Sequence, residues 1–404
     1  MRAGHAAGDV NHTAIEWDDA RSNRIVDPDT ASSLLRRAAA LAPANAAIRF
    51  DLGSILLEQF RFAEAAEAYQ AALRIDPTRQ DAVLRLARCW NRLGRYADVL
   101  ALLNDSADAS ADALYLRGKA ALGMDQAERA EVDFRAALDG DAHHREACFE
   151  LGRILRDADR LEHLESLRAA LWARGARHVQ LLLDWGRMLA DAGRIEEARR
   201  LLFTASKVTQ ATLDVPDGFA TLADFNSAVA DELAHNPQQL TDLPADEQAI
   251  RGSSRINHLM NGARPELILA LVAAIKSAIA RDVRERVRQP DDPWQDCRPA
   301  RARLHAWANI QGPGGYEDWH AHRAGWLSGV YYVAIPEDFT ADGDGAGCIE
   351  FGAPPSLTAA LPETLRIAPR EGMLLLMPSH TYHRTIPFAS DGRRISFAFD
   401  VRPV

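Results

Sequence analysis

The chain has 404 residues, of which 47% are hydrophobic and 26% are charged, and its formal net charge is -10. This composition predicts a packed globular protein, long enough for two or three domains, and excludes a disordered chain. The acidic balance argues against a general nucleic-acid binder, because contacts to phosphates need clustered Lys and Arg.

Residues 1–29 form a polar N-terminal segment that lacks the apolar stretch of a secretory signal. No stretch of the chain reaches the ~20 apolar residues that a membrane span needs. No CxxC pair occurs, which argues against a zinc ribbon and against a thioredoxin-type redox motif. We therefore expect a cytoplasmic protein that binds neither membranes nor nucleic acid.

Residues 30–207 carry a repeat with helical character. A small residue recurs at intervals of 34, 31, 34 and 34 residues, at Gly53, Ala87, Gly118, Gly152 and Gly186. An apolar residue follows twelve positions after each of them. Small residues at fixed positions allow two helices to pack closely, and the spacing resembles that of the tetratricopeptide repeat. The sequence predicts about five repeats and a capping half-repeat at 30–42.

Stacked repeats of this kind bend into a solenoid with a concave face. We expect a protein or peptide partner to dock in this concave groove, although the sequence does not identify the partner. The alternative is an array that only stiffens or dimerises the chain.

Residues 208–404 follow a different pattern and predict a second domain. Amphipathic helices are predicted at 221–234 and 264–287, after which the hydrophobic period changes from helical to extended. The predicted strands are 301–311, 327–335, 347–353, 372–378, 382–388 and 393–401. Helices followed by antiparallel strands predict a jelly roll with supporting helices, so the chain as a whole is an α + β multidomain protein.

His320 and His322 alternate on what reads as the edge of a further strand, and His383 lies on the predicted strand 382–388. His320 and His322 stand two positions apart in EDWHAHRAGW, and His383 follows about sixty residues later. A jelly roll brings the ends of distant strands together, so three imidazoles could surround one metal ion. Arg394, on the last strand, has a planar guanidinium that matches a carboxylate. A metal and a carboxylate anchor are what an oxygenase that uses 2-oxoglutarate needs.

Four blocks between about 304 and 402 resemble, in order, the 2-oxoglutarate/iron(II) oxygenase domain that bacteria often append to tetratricopeptide repeats. The blocks read WHAHRAGWLSGVYYVAIP, GCIEFGAPP, IAPREGMLLLMPSHTYHRTIPF and RRISFAFDV. That family has the double-stranded β-helix fold and is broadly related to prolyl hydroxylases. The resemblance implies Fe(II), 2-oxoglutarate and O2 as cofactor and cosubstrates.

The same resemblance implies roles for individual residues. His320 is the implied first iron ligand, His383 the distal ligand, and Arg394 the partner of the C5 carboxylate of 2-oxoglutarate. Tyr332 and Ser328, in LSGVYY, are the residues implied to line the cofactor pocket.

The wider class writes its ligands as His-x-Asp/Glu…His, whereas this sequence has His322 at the carboxylate position. Three ligand sets stay open. His322 completes a three-histidine site; or two histidines bind the metal with water or halide, and His322 lies behind them; or Asp318 supplies the carboxylate. We favour the first, in which a third neutral ligand leaves the site one negative charge poorer.

Two neighbouring residues compete for these roles. His380 stands in a turn, where we expect it to be exposed, so His383 is preferred as the distal ligand. Arg393 and Arg394 point to opposite faces of their strand, and the Arg-Ile-Ser pattern of the family selects Arg394.

The sequence thus predicts an Fe(II)- and 2-oxoglutarate-dependent dioxygenase that hydroxylates a protein or peptide side chain docked by the repeats. Two alternatives stay open. In one, the jelly roll is catalytically silent and the protein is a scaffold or interaction module, as His322 in place of a carboxylate suggests. In the other, the oxygenase acts on a small metabolite or glycan that the barrel binds alone.

Overall fold

The computed structural model describes residues 13–17, 28–104, 110–203, 205–241, 250–286, 292–339, 345–354, 356–357 and 364–404. Contacts along the chain divide it into two units. One is Ile25–Ala176, here called the repeat unit, and the other joins Met1–Arg24 to Arg177–Val404 and is here called the barrel unit.

The described part of the repeat unit is built from paired α-helices. They are α1 (Pro28–Leu41), α2 (Ala46–Glu58), α3 (Phe62–Ile75), α4 (Gln80–Arg92), α5 (Tyr96–Asn104), α6 (Ala111–Gly123), α7 (Ala127–Gly140), α8 (Arg145–Asp157) and α9 (Leu161–Ala173). Helix α1 coincides with the predicted capping half-repeat, and α2 to α9 form four helix pairs. The predicted tetratricopeptide solenoid is confirmed.

Small residues lie where the two helices of a repeat approach each other. A Cβ atom added to Gly53 would lie 2.7 Å from the ring of Tyr69, and one added to Gly118 would lie 2.7 Å from the ring of Phe134. Both rings are fully buried. In these two repeats an aromatic side chain of the second helix fills the space that a larger residue on the first helix would occupy.

The barrel unit is made of two chain segments, of which the first contains a strand and the second begins with the last repeat. These elements are β1 (Ala14–Trp17), α10 (Val179–Asp191) and α11 (Ile195–Leu202). Helices α10 and α11 keep the repeat pattern, since Gly186 lies against Leu202. They also contact the strands that follow, because Arg187 donates a hydrogen bond to the Tyr382 hydroxyl over 3.0 Å. The sequence-based domains 1–29, 30–207 and 208–404 follow the repeat pattern, whereas the contacts divide the chain between residues 176 and 177.

The remaining helices of the barrel unit support its strands. They are α12 (Leu222–Ala234), α13 (Pro265–Glu285) and α14 (Pro293–Asp296). Helices α12 and α13 agree with the predicted helices 221–234 and 264–287, although residue 287 lies outside the described residues. A capping box at Thr221 and Asp224 begins α12, and Pro265 occupies the first turn of α13. No described helix combines the length and the apolarity needed to cross a membrane.

The strands after β1 form the predicted jelly roll, a double-stranded β-helix. They are β2 (Thr209–Thr212), β3 (Gln239–Leu240), β4 (Ile250–Ile256), β5 (Arg301–Glu317), β6 (Leu327–Ala334), β7 (Ile349–Gly352), β8 (Leu365–Ile367), β9 (Met373–Pro378), β10 (Tyr382–Thr385) and β11 (Arg394–Pro403). The larger sheet has the order β2-β9-β6-β11-β5-β4-β3, with β1 pairing to β5 as well, and the smaller sheet has the order β10-β7-β8.

Strand β11 has one face in the hydrophobic core and the other towards a cavity described below. Its alternate residues Ile395, Phe397, Phe399 and Val401 are buried apolar side chains of the core. The residues between them are Arg394, Ser396, Ala398 and Asp400, of which the first three line the cavity described below. Because successive side chains of a strand point to opposite faces, one strand supplies both packing and chemistry.

Several strands differ from the prediction. Strand β5 does not end at Gln311 but continues to Glu317, and Gly314 adopts a φ of 70°, a left-handed conformation that favours glycine. The sequence Gly-Pro-Gly-Gly is typical of a turn, whereas here it is an irregular part of a long strand. Strands β1 to β4 and β8 were not predicted, because they are short or polar and lack a clear alternation.

Candidate metal centre

Three histidines converge where the chain after β5 meets β10. The backbones of His320 and His383 exchange two hydrogen bonds of 3.0 Å, and the His322 amide donates to the Ser379 carbonyl over 2.8 Å. These bonds bring the rings together, with centroids 4.2 Å apart for His320 and His383 and 5.2 Å apart for each pair that includes His322. One ring nitrogen from each histidine lies within 4.8 Å of the other two.

The second nitrogen of each ring has an oxygen partner. Nδ1 of His320 lies 2.7 Å from the Asp318 carbonyl oxygen, and Nδ1 of His383 lies 3.0 Å from that of Thr381. Nδ1 of His322 lies 2.5 Å from Oδ1 of Asp400. Carbonyl and carboxylate oxygens accept hydrogen bonds, so each Nδ1 carries a proton and Nε2 is the nitrogen of each ring that can offer a lone pair to a metal. Three Nε2 lone pairs in one place are a ligand set for a transition metal.

The protonation state of two of these rings suits a metal ligand. Burial, followed by the neighbouring imidazoles of His320 and His322, lowers the pKa of His383 well below its usual value. Burial and the His322 ring likewise lower the pKa of His320. Both rings are therefore neutral at neutral pH, as metal binding requires.

The ring of His322 is held on two sides. The plane of Trp307 stacks on it, with centroids 5.6 Å apart and an interplanar angle of 20°, and the Arg255 guanidinium lies 4.4 Å from the Trp307 centroid. Its Nδ1 faces Asp400, which is 3% exposed. Burial alone would raise the pKa of the Asp400 carboxyl, but His322, Arg402 and Ser328 hold it far below its usual value, so the group is an anion.

Two competing residues lie elsewhere. The Asp318 carboxylate pairs with Arg251 over 3.0 Å, its side chain is 52% exposed, and it does not belong to the histidine cluster. The expectation that His380 is exposed is wrong, since it is 1% exposed and its Nε2 donates to the Leu201 carbonyl over 2.8 Å. The chain folds α11 over this turn, a tertiary contact that the local sequence does not reveal. Burial lowers the pKa of His380 to about 4.

Arg394 and Tyr332 present buried donors to the same cavity. Arg394 is 1% exposed, whereas Arg393 lies on the surface. Nε of Arg394 donates to Gln311 over 2.7 Å and Nη1 donates to the Gly347 carbonyl over 2.6 Å. Among the described residues, neither Nη2 of Arg394 nor the Tyr332 hydroxyl has a hydrogen-bond partner. Burial raises the pKa of Tyr332, so its hydroxyl remains a donor. Two unpaired donors in a buried place fit a carboxylate.

One small cavity of about 30 Å³ connects these groups. It is lined by the three histidines, Arg394, Tyr332 and Ser328, together with Asn309, Gln311 and other side chains of β5. The Ser328 hydroxyl is already engaged, because it donates to Asp400 over 2.7 Å and lies 2.8 Å from the Ser379 hydroxyl. The structure brings all six predicted site residues to this cavity, with Ser328 oriented towards Asp400.

A larger groove of about 1160 Å³ lies in the barrel unit and includes none of these residues. Two of the cations that line it are paired with carboxylates of the same groove. Lys207 lies 2.9 Å from Asp292, and Arg286 lies 2.5 Å from Asp282. Among the described residues the groove is lined by no histidine, whereas three imidazoles meet at the small cavity, which is therefore the candidate site.

Comparison with known families agrees with this geometry. Residues 305–400 match the family described as "Putative 2OG-Fe(II) oxygenase", and residues 27–80 and 56–122 match two tetratricopeptide repeat families. The chain has tetratricopeptide repeats in its N-terminal part and, at 305–400, a region similar to 2OG-Fe(II) oxygenases. The oxygenase family match includes every predicted site residue.

Solved structures that resemble parts of the chain include proteins of both kinds. MamA from Desulfovibrio magneticus RS-1 is 21% identical over 38% of this chain and 89% of its own, with a TM-score of 0.34. A prolyl-4-hydroxylase from Pseudomonas putida is 16% identical over 49% of this chain and 93% of its own, with a TM-score of 0.33. A prolyl hydroxylase from Trichoplax adhaerens is 13% identical over 55% and 91%, with a TM-score of 0.34. A search of curated proteins gives no match.

Sequence analysis of the oxygenase domain missed Asp400, Asn309 and Gln311. A signal for Asp400 was present, because it stands six positions after Arg394 on the same strand and therefore on the same face. Gln311 lies directly opposite Arg394 in the β5–β11 register, and Asn309 lies opposite Ser396. This register involves residues more than eighty positions apart, so spacing within one strand cannot reveal it.

Proposed function

We propose that the protein is an Fe(II)- and 2-oxoglutarate-dependent dioxygenase. The observation that carries the proposal is a single cavity lined by three imidazoles with free Nε2 atoms and by a buried guanidinium with an unpaired nitrogen. The first group suits a transition metal, and the second suits the far carboxylate of a 2-oxo diacid. The family match of residues 305–400 supports the same activity.

The residues present fit Fe(II) and 2-oxoglutarate chemically. His320, His322 and His383 would hold the metal through Nε2, and Arg394 Nη2 with the Tyr332 hydroxyl would bind the C5 carboxylate. Gln311 and the Gly347 carbonyl keep the guanidinium in place. Because the cavity has room for about one water molecule, 2-oxoglutarate has to displace side chains that line it.

When bound, Fe(II) with 2-oxoglutarate supplies the oxidising chemistry: one atom of O2 enters a substrate C–H bond, the other enters succinate, and CO2 leaves. The chain contributes the position and the environment. Buried Arg394 and Tyr332 would orient the cosubstrate, and the three histidines would offer Nε2 lone pairs to the metal.

An anaerobic titration tests the proposal. Fe(II) is added to the full-length protein, followed by 2-oxoglutarate, and the visible absorption is recorded. We expect a charge-transfer band that needs both additions, because it arises from a 2-oxo acid chelated to iron. A folded protein that gives no band at any concentration would favour the silent-scaffold alternative.

We further propose that the substrate is a protein or peptide side chain docked by the repeats. The first helices of four repeats carry a half-buried apolar residue three positions before the small residue. These residues are Phe50, Leu84, Tyr115 and Phe149, here called the apolar stripe. A row of partly exposed apolar side chains at one repeat position supports the docking of an extended peptide.

Labelling with 18O2 tests this substrate class. Wild type, Leu84→Ala/Phe149→Ala and the control Val132→Ala are incubated with Fe(II), 2-oxoglutarate and a cell extract, and labelled products are identified by mass spectrometry. We expect labelled peptides that decrease at least about tenfold in the stripe variant, because two apolar contacts are lost. Val132 is 65% exposed on α7, outside the stripe, and its replacement should have no effect.

The distribution of the label decides between substrate classes. Label confined to small metabolites or glycans, at equal levels in all three proteins, would contradict repeat-mediated docking and favour a substrate bound by the barrel unit alone.

A further inference from the structure

We infer that Asp400 supplies, through His322, the negative charge that the metal site lacks among its direct ligands. The inference rests on the proposed function, because it concerns the same three-histidine site. A site with two histidines and a carboxylate places an anion directly on the metal, whereas three imidazoles place none. Asp400 has a buried carboxylate that contacts the proposed ligand His322 but does not belong to the ligand set itself.

The geometry of Asp400 is suited to this role. Its Oδ1 lies 2.5 Å from Nδ1 of His322 and accepts a second hydrogen bond from the Ser328 hydroxyl at 2.7 Å. Its Oδ2 accepts from Arg402 at 3.2 Å. Three partners and near-complete burial fix the carboxylate in a single position. The anion therefore cannot turn away to solvent when the metal site changes its charge.

Hydrogen bonding to Asp400 makes His322 a stronger ligand. A carboxylate that accepts the Nδ1 proton pulls it away from the ring and raises the electron density at Nε2. The attraction between Asp400 and a divalent cation also acts across a buried site, where screening by water is weak. Both effects favour a doubly charged metal at the three Nε2 atoms.

Charge can be separated from orientation at this site. The stacking of Trp307 on His322 and the Ser379 carbonyl that accepts from the His322 amide hold the ring without help from Asp400. Asp400→Asn keeps the size of the side chain and an oxygen that can accept from Nδ1, but it removes the charge. A change in metal affinity would then report the charge itself.

The experiment is an anaerobic calorimetric titration of the full-length protein with Fe(II) alone. We expect Asp400→Asn to raise the Kd for Fe(II) about 10- to 100-fold relative to wild type. Asp217→Asn makes the same charge change at an exposed position of the barrel unit and should leave the Kd unchanged. Circular dichroism of each variant checks the fold.

A second variant predicts a change of the opposite sign. Arg402→Gln removes the cation beside Asp400, so the field at the metal becomes more negative, and the Kd for Fe(II) should fall a few-fold. If Asp400 acts only by supporting the local structure, Arg402→Gln should instead raise the Kd for Fe(II). That rise would overturn the inference, and it can be measured even if Asp400→Asn fails to fold.

The possible failures are distinguishable. If wild type binds Fe(II) and Asp400→Asn binds it within twofold of the same Kd, the inference is overturned and the proposed function stands. If wild type binds no Fe(II), both are overturned.

Discussion

His383→Ala is expected to abolish Fe(II) binding and all 2-oxoglutarate turnover in a protein that still folds. His383 is the most buried of the three candidate ligands, at 4% exposed, so solvent cannot easily replace its nitrogen. Loss of a residue that only supports a ligand costs about 10- to 100-fold in metal affinity, and loss of the ligand itself should exceed that range. Calorimetry with Fe(II) and the visible band with 2-oxoglutarate measure the two effects.

His380→Ala is the matched control for His383→Ala. His380 lies three residues earlier and is buried, but its Nε2 donates to the Leu201 carbonyl and not to the cavity. Its replacement should lower the free energy of unfolding by about 1–3 kcal/mol, because a buried carbonyl loses its partner, and should leave Fe(II) affinity intact. Equal loss of Fe(II) binding in both variants would refute the assignment of His383 as a ligand.

Arg394→Met is expected to raise the concentration of 2-oxoglutarate needed for half of the visible band by roughly 30- to 4000-fold. Removing one partner of a buried charge pair costs about 2–5 kcal/mol, and each 1.4 kcal/mol corresponds to a factor of ten. The affinity for Fe(II) without 2-oxoglutarate should equal that of wild type, because Arg394 belongs to the proposed carboxylate site and not to the three-histidine metal site. Titration with 2-oxoglutarate at saturating Fe(II) gives the value.

Arg393→Met is the control for the arginine, because Arg393 is the adjacent residue and lies on the surface. It should bind 2-oxoglutarate as wild type does. Arg394→Lys keeps a positive charge but loses the planar arrangement of donors, so we expect an intermediate effect. An Arg394→Met protein with unchanged 2-oxoglutarate dependence would remove this residue from the cosubstrate site.

Much of the site was predictable because its residues follow local rules. The repeat spacing marks the close approach of two helices at Gly53 and Gly118, and the strand pattern places His383 on β10. The strand edge predicted for His320 and His322 is reduced to one isolated bridge, between His320 and His383. Arg394 was harder, because periodicity alone did not identify the inner face of its strand. The structure identifies it, since Ile395 and Phe397 enter the core.

What the sequence could not reveal depends on contacts between distant segments. Asp400 meets His322 because β11 pairs with β6 in the register that sets Asp400 opposite Ser328. His380 is buried because α11, nearly 180 residues earlier, supplies the Leu201 carbonyl. The residue spacing around Asp400 and His380 gives no information on these partners, so neither contact can be predicted from a single sequence.

Strand β1 has a consequence for how the protein is made. It pairs in parallel with β5, from Ala14 opposite Arg301 to Trp17 opposite Leu304, and the whole repeat unit lies between the two strands in the chain. At 5–20 residues per second, the ribosome delivers β5 roughly 15–60 s after β1. The repeats, whose contacts are local, can fold during that interval, whereas the first strand has to wait for its partner. Strand β1 therefore gains its partner only after the whole repeat unit has been synthesised.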